Sequence, residues 1–268
     1  VYAALGVKVT VVEYLAQMLP LADEEVSRTL ERSFRKMKAT VLTATGVKAV
    51  RVTDEGCEVD IEGKKGAETL RADVVLSAVG VKSNIEGLGL EELGVKVERD
   101  KVVVDDYFRT SVEGIYAIGD IVATPALAHV ASAEASVCVE AICGEKPTPI
   151  DYTTIPSCVY TTPEVAMVGL PEKQALEQGY EIKVGKYQFM ASGKATAAGD
   201  RDGFVKLIYD AKSETLLGAH IIGASVTEML GEPAMAKRLG ITARQIASTV
   251  HSHPTMYEGL LEATEEIL

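Results

Sequence analysis

The first 81 residues combine β-branched runs with one amphipathic segment. The run V-K-V-T-V-V over residues 7–12 predicts a strand that ends at Glu13. Residues 23–38 follow with apolar side chains at helical spacing, with acidic residues near the start and basic residues near the end, so they predict an amphipathic helix.

Short β-rich segments recur after that helix, at residues 39–42, 48–53, 58–62 and 68–71. A very apolar run, D-V-V-L-S-A-V over 73–79, predicts a buried strand that stops at Gly80. The order strand, helix, strand, β-meander and buried strand is typical of the second half of a nucleotide-binding α/β unit. We therefore predict a partial Rossmann-like domain over residues 1–81.

The pattern changes after residue 81. Glycines punctuate a loop-rich stretch that contains a short predicted strand at 102–104 and a predicted helix at 128–143. The turn-rich sequence G-E-K-P-T-P over 144–149 predicts a domain boundary. We assign residues 82–149 to a short central segment.

Residues 150–268 mix strands and helices in the order expected of an α+β domain with an antiparallel sheet. The predicted strands lie near 158–160, 164–168, 181–188, 203–210 and 216–222. The predicted helices lie at 172–178, 225–239 and 243–248, and from about residue 257. The predicted fold class is therefore α/β plus α+β.

Composition and charge narrow the function classes. The chain has 268 residues, with 27 Lys and Arg against 39 Asp and Glu, a formal net charge of −12. A negative surface argues against nucleic acid or an anionic membrane as the main partner. No apolar run approaches the ~20 residues that span a bilayer, and four cysteines without C-x-x-C spacing favour a reducing cytoplasm. Because residue 1 is Val rather than Met, we expect a piece of a longer protein.

Two acidic residues follow predicted strands, where α/β folds bind ligands. Glu13 is a candidate for the adenosine ribose hydroxyls of a dinucleotide, and the following Y-L-A-Q-M contains no Arg for a 2′-phosphate, which favours NAD over NADP. Asp120 ends I-Y-A-I-G-D and could hold a polyol hydroxyl. Each has a simpler alternative, a surface glutamate for Glu13 and a helix N-cap for Asp120.

The third candidate is H-S-H-P-T-M-Y-E at residues 251–258. Pro254 restricts the backbone beside His253 and permits a cis bond. Glu258, on the first turn of the last predicted helix, could reach back to an imidazole nitrogen of His253 and form a general base with its orienting carboxylate. A metal pair or a polar surface are the alternatives for H-x-H; we predict no metal because no third ligand lies nearby in the sequence.

These motifs, in this order, resemble the dihydrolipoamide dehydrogenases among the flavin-dependent pyridine nucleotide–disulfide oxidoreductases. The similarity extends over essentially the whole chain. The chain resembles the C-terminal part of such enzymes, without the N-terminal FAD domain. It rests on K-V-T-V-V-E, R-T-S-V-E-G-I-Y-A-I-G-D, A-L-A-H-V-A, Y-T-T-P-E-V-A-M-V-G, L-G-A-H-I-I-G and H-S-H-P-T-M-Y-E.

The resemblance implies roles for particular residues. It makes His253 the catalytic base and Glu258 its partner, acting on the disulfide and flavin of the other subunit of a homodimer. It makes 150–268 the dimerisation domain. The residues matching the family's cofactor contacts are Glu13, Val47 and Gly80 for NAD, and Asp120, Ala126, Leu127, Ala128 and His129 for FAD. The implied partner is the lipoyl-bearing acyltransferase of a 2-oxo acid dehydrogenase complex or the lipoyl protein of glycine cleavage.

Two features depart from the family pattern. Cys138 and Cys143 reproduce the C-x4-C spacing of the redox pair, but they lie in an apolar helical run, where their side chains would be ~140° apart. We therefore expect buried structural thiols. G-V-K-S-N at 80–84 stands where the family usually has Gly-Arg-x-Pro-Asn, so the Arg and the Pro of that nucleotide-contacting segment are replaced. The alternatives are a non-catalytic dimerisation fragment and a related reductase, such as one for glutathione.

Overall fold

A computed structural model describes all residues, Val1–Leu268, as two compact units. The first unit joins Val1–Val75 to Pro156–Leu268, and the second is Leu76–Ile155. The division into 1–81, 82–149 and 150–268 stays a prediction. No helix is both long and apolar enough to cross a bilayer.

The first unit contains most of the regular structure. Its strands are β1 (Thr10–Val12), β2 (Thr40–Leu42), β3 (Gly46–Thr53), β4 (Gly56–Gly63), β5 (Gly66–Ala72), β8 (Ser157–Val159), β9 (Glu164–Gly169), β10 (Ile182–Gln188), β11 (Phe204–Asp210) and β12 (Leu216–Gly223). Its helices are α1 (Glu24–Lys36), α3 (Glu172–Glu177), α4 (Gly193–Ala198), α5 (Gly231–Leu239), α6 (Ala243–Ala247) and α7 (Glu258–Glu265).

Three sheets organise these strands. β1 and β2 pair in parallel, with Thr10 opposite Thr40, and β3, β4 and β5 form an antiparallel meander. The largest sheet is antiparallel, in the order β10-β11-β12-β9-β8. Strands β11 and β12 are buried almost throughout, because side chains pack against both of their faces.

Helix α1 packs its apolar stripe against this antiparallel sheet. Val26 and Leu30 are completely buried in a cluster with Val165, Phe204 and Ile222. Asp23 caps the helix by accepting a hydrogen bond from the Glu25 N–H at 3.1 Å. The helix that the amphipathic pattern and the charge distribution of residues 23–38 predict is present. Its buried face contacts strands that lie more than 120 residues away in the sequence.

A buried charge cluster lies at the start of α1. The Lys206 Nζ donates to the Asp23 Oδ1 at 2.8 Å and forms an ion pair with the Glu172 Oε2 at 2.6 Å. The Asp23 Oδ2 accepts from the Glu172 N–H at 3.2 Å, and the Asp23 N–H donates to the His220 Nδ1 at 3.2 Å. The ion pair between Asp23 and Lys206 offsets the cost of burying both charges, whereas the His220 Nε2 is buried without a hydrogen-bond partner.

The second unit is smaller and contains more loop. It consists of the short hairpin β6 (Val97–Glu98) and β7 (Lys101–Val102), helix α2 (Ala128–Ile142), and two 3-10 turns at Gly119–Ile121 and Tyr152–Thr154. Its apolar centre is built from Val95, Val102, Ala117 and Val122.

The predicted buried strand over 73–79 is wrong for this structure. These residues form no strand, and Leu76 and Val79 are 77% and 95% exposed. A strand of a parallel sheet needs a neighbour for its backbone groups, and β1 and β2 pair only with each other. The structure also divides the predicted helix 225–239 into a 3-10 segment, Val226–Leu230, and α5, and adds α4.

Candidate functional site

The loop that leads into α7 brings two predicted site residues together. The His253 Nδ1 lies 2.6 Å from the Glu258 Oε1, and the bond between His253 and Pro254 is cis. Glu258 is the first residue of α7, so its carboxylate lies next to the preceding loop, which contains His253 and Thr255. The predicted pairing of imidazole and carboxylate is therefore present in the structure.

Glu258 is itself held in place. Its Oε2 accepts from the Thr255 N–H at 2.8 Å, and the Thr255 hydroxyl donates to the Ser252 carbonyl at 2.7 Å. The hydrogen bond with His253, followed by that from Thr255, lowers the pKa of Glu258 below its ordinary value. An ionised Glu258 accepts a hydrogen bond from the Nδ1–H of His253, which leaves the lone pair of the neutral imidazole on Nε2.

The open side of the His253 ring faces solvent. The side chain is 79% exposed, and only its Nδ1 is hydrogen-bonded. An imidazole with one nitrogen fixed by a carboxylate and the other accessible has the geometry of a general base.

His251, two residues earlier, is arranged differently. Its side chain is only 5% exposed; its Nδ1 lies 2.8 Å from the Thr249 carbonyl and its Nε2 lies 2.9 Å from the Glu232 Oε1. Both ring nitrogens therefore face acceptor oxygens, and the contact with Glu232 links the loop to α5. Glu232 was not predicted as its partner, because it lies 19 residues away and nothing in the local pattern marks it.

The candidate ribose ligand Glu13 follows β1 at its carboxyl end, as predicted. Its Oε1 accepts from the Leu15 N–H at 2.7 Å, and its carbonyl accepts from the Thr45 N–H at 3.0 Å. The second carboxylate oxygen, Oε2, has no such bond and can accept from a sugar hydroxyl. Val47, the other candidate in this unit, lies half-exposed on β3.

In the second unit, Asp120 lies in the 3-10 turn Gly119–Ile121 with an exposed side chain. Its carbonyl oxygen accepts from the Lys101 Nζ at 2.7 Å and from the Ser83 hydroxyl at 3.1 Å. Gly119 has a φ of +72°, a conformation that favours glycine. The predicted candidate Gly80 is exposed and also has a positive φ, +114°.

The remaining candidates surround the start of α2. Ala126 and Leu127 precede the helix, and Ala128 and His129 form its first turn. Ala126, Ala128 and His129 are exposed, whereas Leu127 is partly buried.

Further along the same helix, Glu134 is a residue that the motifs did not single out. It is fully buried, and its two carboxylate oxygens accept from the Gly119 N–H and the Tyr152 hydroxyl. The signal was present in the sequence, since Glu134 is a lone acidic residue within the apolar run A-H-V-A-S-A-E-A-S-V.

The C-x4-C spacing of Cys138 and Cys143 does not form a disulfide. Both thiols are free, with Cys138 buried and Cys143 exposed. Burial raises the pKa of the Cys138 thiol, which disfavours the reactive thiolate. The prediction of a buried thiol holds for Cys138 and is wrong for Cys143, which lies exposed at the C-terminal end of α2.

Comparison with protein families defines the class of protein. The family described as pyridine nucleotide-disulphide oxidoreductase matches residues 1–135, and the dimerisation domain of the same family matches residues 155–264. Since the first match alone extends over half of the chain, the chain belongs to the pyridine nucleotide-disulphide oxidoreductase family. The predicted resemblance and fold class are thereby confirmed.

Within this family the chain is similar to dihydrolipoyl dehydrogenases. It is 47% identical to that of Chlorobaculum tepidum over 269 residues, covering 100% of this chain and 57% of the relative. It is 44% identical to that of Mycobacterium bovis over 261 residues, covering 96% and 56%. The chain thus spans about 57% of the length of the curated relatives that it matches.

Solved structures show the same fold. The crystal structure of LpdA from Mycobacterium tuberculosis superposes with a TM-score of 0.91 at 28% identity, covering 100% of this chain and 58% of that one. The flavoprotein disulfide reductase RclA from Escherichia coli, in a Cu(II) complex, gives a TM-score of 0.91 at 24% identity, covering 100% and 60%; it supports the fold alone.

Proposed function

We propose that this chain is the C-terminal part of a flavoprotein that oxidises dihydrolipoamide to lipoamide and reduces NAD by way of FAD. The observation that carries the proposal is the His253–Glu258 pair, with Nδ1 fixed at 2.6 Å and Nε2 open to solvent. The relatives that are 47% and 44% identical to this chain are named dihydrolipoyl dehydrogenase.

The pair supplies the proton transfer that thiol oxidation needs. A thiol attacks a disulfide only as its thiolate, so a base must first remove its proton. His253 takes that proton on Nε2, and Glu258 stabilises the resulting imidazolium through Nδ1. When bound, FAD accepts the electrons of the dithiol through an enzyme disulfide and delivers them to NAD as a hydride.

The chain's own residues fit both cofactors. The Asp120 carboxylate is exposed on a turn whose backbone is hydrogen-bonded. It would accept hydrogen bonds from the hydroxyls of the FAD ribityl chain. Ala126, Leu127, Ala128 and His129 would line the flavin. Glu13 would accept from the adenosine ribose of NAD through its Oε2, which is free of the bond from Leu15, with Val47 of the same unit lining that nucleotide.

The 155–264 match establishes that the chain contains a dimerisation domain. We propose a homodimer formed through 150–268, in which His253 and Glu258 act on the disulfide and flavin of the other subunit. Exposed apolar side chains in this region, Met235, Leu239 and Val250, are available for such a contact. The proposed partner is the lipoyl-bearing acyltransferase of a 2-oxo acid dehydrogenase complex or the glycine-cleavage lipoyl protein, in the cytoplasm.

The test compares substrates on the full-length protein. Dihydrolipoamide with NAD should support rapid turnover, whereas glutathione disulfide with NADPH should give little. Faster reduction of glutathione disulfide would favour a glutathione reductase-type enzyme. The chain of 268 residues by itself should show neither dihydrolipoamide-dependent NAD reduction nor a flavin absorbance band; a stoichiometric flavin band would contradict that expectation.

A further inference from the structure

Glu134 is a buried carboxylate that the proposed chemistry does not use. It lies on α2 with no exposed surface, and no salt bridge reaches it. Its Oε1 accepts from the Tyr152 hydroxyl at 2.9 Å and its Oε2 accepts from the Gly119 N–H at 2.6 Å. Burial, followed by the hydrogen bond with Glu134, raises the pKa of Tyr152, so this hydroxyl remains a donor.

The bond to Gly119 acts directly beside Asp120. Glu134 holds the N–H that precedes Asp120 by one residue, and Lys101 and Ser83 hold the carbonyl oxygen of Asp120 itself. The turn is thus fixed on both sides of the Asp120 Cα. The Asp120 side chain is the part of the turn that faces solvent.

A buried carboxylate is costly unless its oxygens are hydrogen-bonded, so its presence in an apolar helix needs a reason. A simple packing residue would be apolar here, as Val130 and Cys138 are, one helical turn before and after Glu134 on the same buried face. What the carboxylate adds is an acceptor for the Gly119 N–H, in a turn whose positive φ exposes that N–H toward α2.

We propose that Glu134 is a positioning residue for flavin binding: it fixes the Gly119–Asp120 turn so that the Asp120 carboxylate is presented to the hydroxyls of the FAD ribityl chain. This inference rests on the proposed function. Glu134 does not touch the cofactor; it acts through the backbone of the turn, as residues behind a binding group often do.

The experiment is a double-mutant cycle on the full-length flavoprotein, with FAD affinity measured by titrating the apoprotein and following flavin fluorescence. We expect Asp120→Ala and Glu134→Ala each to weaken FAD binding about tenfold. Asp120→Ala removes the charge-assisted hydrogen bond itself, and Glu134→Ala removes the contact that aligns it. The double variant should bind FAD within about twofold of Asp120→Ala alone, since coupled residues are not additive.

Two further variants separate alignment from packing. In Glu134→Gln the amide oxygen can still accept from the Gly119 N–H while its NH₂ donates to the Tyr152 oxygen, so affinity should remain within about threefold of wild type. Tyr152→Phe keeps the contact between Glu134 and the Gly119 N–H, so its FAD affinity should also remain within about threefold of wild type. If Glu134→Ala does not fold, as judged by circular dichroism, Glu134→Asp replaces it, because its shorter carboxylate cannot reach both donors.

The possible failures are distinguishable. Multiplicative losses in the double variant, or wild-type affinity in Glu134→Ala beside a loss in Asp120→Ala, would overturn the role of Glu134 and leave the proposed function intact. Wild-type affinity in Asp120→Ala would overturn the inference together with the assignment of Asp120 to FAD.

Discussion

Two regions of the first unit each place a histidine near a carboxylate residue, with opposite results. His220 is fully buried and its Nδ1 accepts from the backbone N–H of Asp23; burial lowers its pKa to about 4. His253 is largely exposed, and its Nδ1 is paired with the Glu258 carboxylate instead. Burial makes the first histidine a neutral structural acceptor, whereas exposure beside a carboxylate equips the second for proton transfer.

The largest expected effect is on the buried region. Lys206→Met would leave the buried carboxylate of Asp23 without its ammonium and should lower the free energy of unfolding by about 3–5 kcal/mol. Lys36→Met is the matched control, because the Lys36–Asp202 pair at 2.9 Å is exposed, and it should cost less than about 1 kcal/mol. Urea unfolding of both variants is the measurement; equal losses would contradict the distinction between the two pairs.

The next effect is on the exposed region. His253→Gln in the full-length protein should slow reduction of the enzyme by dihydrolipoamide at least ~100-fold, because the proton acceptor is lost. Hydride transfer from NADH to the flavin should hardly change. Rapid-mixing absorbance measurements separate these half-reactions, and equal damage to both would count against the role of His253.

A third effect follows from titration of His220. Below pH 6.5 the unfolded histidine gains a proton, whereas the folded one does not until about pH 4, so stability falls as the pH drops through this window. Between pH 6.5 and 5 the wild type should lose about 1.6 kcal/mol more than His220→Gln, because the unfolded histidine is only half protonated at pH 6.5 and the slope of about 1.4 kcal/mol per pH unit is reached below it. The pKa of Asp23 is also lowered in the folded protein, so protonation of Asp23 reduces stability further as the pH falls still lower. Urea midpoints that shift in parallel for both proteins would exclude this role of His220.

The smallest effect concerns His251, the histidine whose two ring nitrogens both face acceptor oxygens. His251→Gln should cost about 1 kcal/mol of stability through the lost contact with Glu232. We expect the dihydrolipoamide half-reaction to fall less than about fivefold. Thermal unfolding and the same rapid-mixing measurement test both parts; a loss as large as that of His253→Gln would mean that the two histidines share the chemistry.

Local patterns predicted much of the fold and part of the site. The spacing of Val26 and Leu30 and the acidic start of the helix predicted α1, and the five-residue separation of His253 and Glu258 predicted their contact. Both are interactions between near neighbours in the chain, which periodicity and helix geometry describe.

What the patterns missed depends on distant partners. Nothing near Lys206 or His220 indicates that Asp23, almost 200 residues away, lies beside them. The run 73–79 has the composition of a buried strand, but a strand also needs a neighbour, which its own residues do not specify. Glu134 was missed because its importance comes from the turn at Gly119 rather than from a motif.

The shared core of α1 and the antiparallel sheet also bears on how the polypeptide tolerates cleavage. Val26 and Leu30 pack with Val165 and Phe204, although the 80 residues from Leu76 to Ile155 separate the two stretches. A proteolytic nick in an exposed loop between them should therefore leave both fragments associated until denaturant is added. Separately expressed pieces 1–75 and 156–268 are accordingly candidates for reconstitution by mixing.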